Sequence, residues 1–373
     1  MQSDSIVYKF YYQWWKNIDK SIFLLISLLF IIGLFFSLVS TSLIASDKLD
    51  TNSYFFFFKH LIYVLIGISL IFIFSSLNSD QLYKYSIFLF FISLISLFLV
   101  PFIGVEVKGS KRWIDLFFLP RFQPIEVLKP FLVIILATIL CDIRSNILFK
   151  YLISIILISF VSLLLIAQPD IGQTLLVIFC WAVLIFTSGI NIYILLAIFI
   201  AGASLLTYLI IYVPRFDYIQ GRIFSFFNRE TGTHNFQSDK AIESITSGGF
   251  FGKGIGEGVL KNRVPEAHTD YIISVISEEF GVVAIMLILL LFLILIYMVF
   301  KKISFETNDK VKLILIGSIS LILMQATIHV GVNIRLFPTT GMTLPFLSYG
   351  GSSIISTSIL AGIILNLTKR KIT

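Results

Sequence analysis

Ten apolar stretches, most of them close to the ~20 residues that cross a bilayer, divide this chain. Backbone in hydrocarbon must satisfy its hydrogen bonds internally, so each stretch is confined to an α-helix. They run Ser21–Ile44, Tyr54–Ser75, Tyr85–Gly104, Ile125–Leu140, Ile147–Ala167, Ile171–Ser188, Ile190–Val213, Ile272–Phe300, Val311–Leu336 and Leu347–Leu367. Only 13% of residues are charged, against roughly 25% in soluble proteins, and mean hydropathy is +0.97. The expectation is an all-α polytopic membrane protein forming one transmembrane domain over residues 1–373. Its polar parts are a tail (1–20), a loop (105–123), a large loop (214–270) and a second tail (368–373).

An even number of crossings puts both termini on one side. Lys9, Lys16, Lys20, Lys84, Arg144, Lys150, Lys301, Lys302, Lys310, Lys312, Lys369, Arg370 and Lys371 gather there, which makes that side cytoplasmic. The formal charge of +7 is mostly this orientation signal and gives no support to nucleic-acid binding. The first stretch is too long for a signal-peptide core and lacks a small-residue cleavage pattern, so it is expected to stay as an anchor. Cys141 and Cys180 lie in or beside apolar spans and imply neither a disulfide framework nor a metal site.

Two loops on the opposite, outer face carry the polar chemistry. Val105–Gln123 alternates and turns over at Gly109-Ser110, which predicts a short hairpin. Its cations Lys108, Lys111, Arg112 and Arg121 sit where the orientation rule disfavours them. An anionic ligand outside the membrane would explain them; lipid phosphate, or pairing with Glu106 or Asp115, would do so equally. Pro124 then starts a helix in which Glu126 and Lys129 share a face inside the membrane zone. Charges there must pair or face a wet cavity, so the two are expected to pair with each other.

The 214–270 loop holds seven cations and seven anions, and six glycines within Gly248–Gly258. Glycines permit tight turns and close backbone approach to a ligand. No strand precedes them and no Gly-Lys-Ser/Thr follows, so this is not a phosphate-binding P-loop. Arg222, Lys261 and Arg263 supply cations around it that suit a diphosphate. The loop closes on Pro265-Glu266-Ala267-His268-Thr269-Asp270, which sets a carboxylate at the mouth of the next helix. Thr269 or Asp270 as a plain helix cap is the competing explanation. Further on, Gln325, His329 and Asn333 recur every fourth residue along one stripe, a pattern that favours interhelical contact over ligand binding. Small residues in Gly341–Ser353 allow close helix approach and offer a seat for one extra helix.

Taken together, these motifs resemble the SEDS family of cell-wall polymerases. The similarity covers nearly the whole chain and rests on Lys108–Ile114, Gln123-Pro124 with Glu126 and Lys129, Gly248–Gly258, Pro265–Asp270 and Leu344–Ser353. Gly341-Met342-Thr343-Leu344-Pro345 resembles the division branch, FtsW, more than the elongation branch, RodA. The resemblance implies a peptidoglycan glycosyltransferase that polymerises lipid II and releases undecaprenyl diphosphate. Asp270 would be its catalytic base, and Lys111, Arg112, Trp113, Glu126, Lys129, Arg222, Lys261, Arg263, Glu266, His268 and Ser348 would bind substrate. Glu278 and Glu279 are too far along the helix for a retaining pair and suit packing or a polar network. The resemblance also implies a single-pass penicillin-binding transpeptidase and other division proteins as partners, in the bacterial inner membrane at the septum. No cofactor is implied, and the residues show no carboxylate cluster for a divalent ion. Two rivals are a flippase for the same lipid, against which no repeated halves with matching broken helices are evident, and a scaffold, which leaves Asp270 and the outer cations unexplained.

The topology is testable. Cysteines placed in the 214–270 loop and at Asn308 are expected to react with an impermeant reagent from opposite sides of intact membranes. Labelling from one side would overturn the ten-crossing arrangement.

Overall fold

The structure, a computed structural model, describes residues 2–41, 54–107, 110–116, 119–142, 146–227, 233–260 and 264–369. Each of the ten stretches forms a helix: α2 (Lys20–Thr41), α3 (Phe55–Ser76), α4 (Ser79–Ile103), α5 (Pro124–Leu140), α6 (Ile147–Ala167), α7 (Ile171–Thr187), α8 (Ile192–Tyr212), α11 (Ile272–Phe305), α12 (Asp309–Asn333) and α13 (Gly351–Leu367). Seven of them are long and apolar enough to cross a membrane, whereas α7 and α13 are shorter apolar helices and α5 has 17 residues. Three further helices are α1 (Gln2–Asn17), α9 (Asp217–Phe227) and α10 (Thr233–Gly248). The last two lie inside the 214–270 segment and make up about half of it.

Between α4 and α5 runs a three-stranded antiparallel sheet, β1 (Val105–Val107), β2 (Ser110–Leu116) and β3 (Leu119–Phe122), in the order β1-β2-β3. It contains the expected hairpin plus one more strand; Lys108 and Gly109, at the turn, lie outside the described residues. The opposite end of the bundle gathers the termini. Lys302 Nζ lies 2.6 Å from Asp19 Oδ2, Trp14 Nε1 donates to Ser75 Oγ, and Lys369 Nζ donates to the Leu77 carbonyl.

Small residues decide the closest helix pair. A Cβ on Gly67 of α3 would stand 2.5 Å from Ser358 Oγ, and one on Gly351 of α13 would stand 2.4 Å from the Tyr63 ring. Asn366 of α13 donates to the carbonyls of Phe74 (2.8 Å) and Leu77 (2.7 Å), closing the end of α3. At Gly351 the seat expected for an added helix is filled by α3 of this same chain.

The main departure from the expected pattern is in α11. A continuous helix was the expectation for Ile272–Phe300, but Gly281 adopts φ +75° and ψ −178° and breaks it. The glycine run fills the break. Val282 N donates to Gly249 O (3.0 Å) and Val283 N to Phe250 O (3.3 Å); Lys253 N and Gly254 N donate to Glu278 O (2.9 Å) and Glu279 O (3.0 Å). Gly248 and Gly252 are needed because a Cβ at either would lie about 2 Å from α11 backbone oxygens. These glycines therefore serve close approach to a helix. Buried Glu278 completes the joint: its carboxylate accepts from Leu260 N (2.9 Å) and Ser244 Oγ (3.0 Å), with Lys253 Nζ at 3.5 Å.

Gly281→Ala should lower thermal stability in detergent. It puts a side chain in left-handed backbone, a strain of about 1–3 kcal/mol, with a Cβ 2.1 Å from Phe250 O. Gly202→Ala in α8, where nothing lies within 4 Å of the new Cβ, should be neutral or slightly stabilising. Equal unfolding midpoints for the two variants would count against the break.

Candidate active site

The 264–271 segment winds into a tight turn around one carbonyl. Glu266 sits in left-handed backbone (φ +55°), and its carbonyl accepts from the amides of Thr269 (3.0 Å), Asp270 (3.1 Å) and Tyr271 (3.3 Å). The Thr269 hydroxyl donates back to Glu266, to the carbonyl and to Oε2, both at 3.2 Å. Helix α11 starts at Ile272 with Tyr271 at its N-cap and no N-cap side chain closing the first turn. Thr269 is thus committed to Glu266 rather than to the helix. A strained non-glycine turn persists only where its surroundings over-determine it.

Helix α12 provides those surroundings. Asn333 Nδ2 donates to the Asp270 carbonyl (3.0 Å) and the His329 carbonyl (2.8 Å). His329 Nδ1 lies 2.8 Å from the Met342 carbonyl, which makes it the protonated nitrogen. Gln325 Nε2 donates to Thr343 O (3.0 Å) and Ser353 Oγ (3.1 Å). The stripe read as interhelical contact therefore grips two loops, the 264–271 turn and the 340–343 segment. Gly341 is left-handed (φ +71°), and a Cβ there would stand 3.5 Å from Asp270 Oδ2. The Asp270 carboxylate thus lies beside the bare backbone of Gly341.

Below it is the ion pair. Lys129 Nζ is 2.9 Å from Glu126 Oε2, with the side chains 1% and 5% exposed. Lys129 also donates to Gln325 Oε1 (3.2 Å), and Gln173 Nε2 donates to Glu126 Oε1. The pair is thus shared among α5, α7 and α12, and through Gln325 it reaches Thr343.

Arg112 faces a different task from the one its charge suggests. Its Nε donates to Gln168 O (3.1 Å), its NH2 group donates to Pro169 O, and its guanidinium lies 3.8 Å from Asp170 Oδ1. Burial pushes the Asp170 carboxyl up, against the pull of Arg112. Gln123 Nε2 donates to Asp170 Oδ2 (2.8 Å), and Gln123 N to Ser352 Oγ (3.0 Å). The sheet, the α6–α7 turn and α13 are stitched together at this end. A Cβ on Gly172, two residues beyond Asp170, would meet Thr340 Cβ at 2.9 Å, so the seam continues to the loop beside Asp270.

The other candidates fall unevenly. His268 stacks near Phe56 (4.7 Å between centroids) and Tyr349 (5.9 Å), and its carbonyl accepts from Tyr349 N (3.2 Å). Ser348 is buried and its hydroxyl accepts from Leu344 N (2.9 Å), so it shapes the 344–348 turn. Lys111 is exposed on β2 opposite Glu106, and Trp113 is half-buried opposite Val105. Arg121 pairs with Asp115 at 2.8 Å. Arg222 lies on α9, its side chain outside what is described, and Lys261 and Arg263 lie outside the described residues. Sequence reasoning missed Asn333 as the tie to Asp270 and Asp170 as the partner of Arg112. The four-residue spacing carried the first signal; the second had none, because 58 residues separate that pair.

A bundle of apolar helices, with a buried ion pair and a carboxylate held at one end by a helix stripe and a strained turn, defines a multi-pass membrane protein with a polar site. Residues 19–372 match the model of the FtsW/RodA/SpoVE family, described as "Cell cycle protein". The chain belongs to this family, the SEDS family. It is 30% identical over 366 residues to the "Probable peptidoglycan glycosyltransferase FtsW" of Caulobacter vibrioides, covering 96% of this chain and 91% of the relative. The like-named protein of Francisella salina is 34% identical over 368 residues, covering 94% and 89%. Among solved structures, a chain from a peptidoglycan synthase complex that coordinates polymerization and crosslinking aligns with TM-score 0.77 and 26% identity, covering 94% of this chain and 97% of that one. Thermus thermophilus RodA aligns with TM-score 0.69 and 27% identity, covering 95% and 97%.

Removing one partner of the ion pair strands a charge in the core, at about 3–5 kcal/mol. Lys129→Met and Glu126→Gln should each lower the unfolding midpoint sharply. The double variant should lose less than the sum of the two, and additive losses in that cycle would show that the pair is not coupled.

Proposed function

We propose that this chain is a peptidoglycan glycosyltransferase of the division branch, spanning the bacterial inner membrane ten times, with its site on the outer face at the septum. The donor would be lipid II, its sugar α-linked to a polyprenyl diphosphate. The observation that carries the reading is the way Asp270 is fixed. The Glu266 turn sets its amide, Asn333 holds its carbonyl, and Gly341 leaves the space beside its carboxylate free of a side chain.

In this reading the acceptor 4-hydroxyl oxygen attacks the anomeric carbon opposite the diphosphate. The bond to diphosphate breaks as the β-1,4 bond forms, which inverts the centre in one step. Asp270 takes the hydroxyl proton, and the diphosphate departs on its polyprenol. Cations at the hairpin end would stabilise the departing charge. Lys111 has an exposed side chain for this role, whereas Arg112 is engaged with the 168–170 turn and suits positioning of the sheet. Glu126 and Lys129 act from below by fixing Gln325 and so the 340–343 segment. The solved neighbour's synthase complex supports a cross-linking transpeptidase as partner, since glycan strands need joining as they form.

Asp270→Asn preserves shape and the backbone bond to Asn333 but removes the base. Polymerisation of purified lipid II, with the cross-linking partner present, should fall about 10²- to 10⁴-fold, while the variant remains folded and still binds lipid II. Wild-type polymer yield from that variant would return Asp270 to a structural role.

A further inference from the structure

The loop that fills the break in α11 carries two large, mostly exposed aromatic side chains: Phe250 is 75% exposed and Phe251 84%. Ile255 and Val259 of the same loop are also exposed. Its depth can be measured against α2. Phe280, next to the break, packs edge-on against Phe35 and Phe36 at 5.8 and 5.4 Å. At the terminal end, α11 is tied to the start of α2 through Lys302 and Asp19. Asp19 and Phe36 are seventeen residues apart, about 25 Å of helix at ~1.5 Å per residue. The hydrocarbon layer is ~30 Å thick. With the charged pair at one boundary, the break falls near the other: α2 gives about 25 Å, and the twenty-one residues from Gly281 to Lys302 along α11 give about 31 Å.

Irregular backbone at that depth is tolerated only where its polar groups are satisfied. Around Phe250 the backbone is paired in this way: Gly249 O, Phe250 O, Lys253 N and Gly254 N bond to α11 backbone, and Gly252 N donates to Gly248 O at 2.9 Å. The exposed rings also continue the exposed apolar face of α11 formed by Val283, Met286 and Leu287. Lys253 reaches back to the buried Glu278 carboxylate, so the loop's cation is paired within the protein.

We propose that the turn at residues 249–252 dips into the bilayer, with Phe250 and Phe251 among the phospholipid acyl chains of the leaflet nearest Asp270 and exposed Glu257 left on the headgroup side. It would moor the 214–270 segment to the bilayer at a second depth, independently of the helices that flank it, and it does not depend on Asp270 being catalytic.

The test uses the full chain in nanodiscs of phosphatidylethanolamine and phosphatidylglycerol. A nitroxide is attached to Phe251→Cys in a Cys141→Ala, Cys180→Ala background. Its collisions with oxygen should exceed those with a water-soluble nickel chelate, as at Met286→Cys on the apolar face of α11. Thr307→Cys, in the loop between α11 and α12, should show the reverse. A second measurement leaves the cysteines in place: Phe251→Trp, compared with the parent chain, should add blue-shifted emission that lipid brominated on its acyl chains quenches as strongly as it quenches Met286→Trp. Nickel access matching Thr307, or unquenched red-shifted emission, overturns the proposal in favour of water. Low access to both reagents overturns it in favour of a protein surface covering the rings.

Discussion

An ammonium group in hydrocarbon is expensive, and the arrangement of this bundle follows from how Lys129 is accommodated. Its charge is answered by Glu126 one turn away and shared with Gln325 of α12, while Gln173 of α7 donates to the other carboxylate oxygen. Each contact needs a particular helix at a particular rotation, so one buried cation specifies how α5, α7 and α12 face one another. A buried ion pair with directional partners resists any shift between these helices, because breaking it strands a charge. Gln325 extends that registration upward, because the amide that accepts from Lys129 also donates to Thr343 and Ser353.

Above this node the backbone is under strain. Glu266, Arg335 and Phe346 are non-glycine residues in left-handed conformations, and all three belong to segments at the Asp270 end. Each has a visible reason. Glu266 gathers three amides on one carbonyl. Arg335 reaches Asp239 on α10 and links the α12 exit to the 214–270 segment. Phe346 turns its ring onto Phe30 of α2 at 5.3 Å, where the missing side chain of Gly33 lets the turn press against helix backbone. Strain concentrated at one end of an otherwise regular bundle is what a preorganised site requires.

Much of this was legible in residue order. Apolar run length located these ten helices because a bilayer leaves backbone no alternative, and the Glu126–Lys129 spacing announced the ion pair because three residues make nearly one turn. The alternation after Val105 gave the hairpin. What escaped shares a cause. The break at Gly281 is invisible in a local reading, since the donors and acceptors that compensate it come from residues 249–254, about thirty positions earlier. For the same reason the glycine run suggested a ligand: glycine spacing says that something approaches closely and does not say what. Asn333 read as one more rung of a polar stripe, because its partner is a carbonyl and leaves no trace in side-chain chemistry. Helices α9 and α10 were hidden by polar composition, which is weak evidence against helix when tertiary packing is available.

The bond between Asn366 and the end of α3 has a meaning for how the molecule is made. The Phe74 and Leu77 carbonyls lie 292 and 289 positions ahead of the amide that satisfies them, so helices α4 to α12 are synthesised before their partner. The groove around Gly67 likewise waits for Ser358. During synthesis α3 therefore enters the membrane with one face and one end unfinished, and α13, made much later, completes it. A chain truncated before α13 would lack more than a terminal span: an early helix would expose polar backbone and a small-residue groove to lipid. That is the kind of surface by which membrane quality control can recognise an incomplete product.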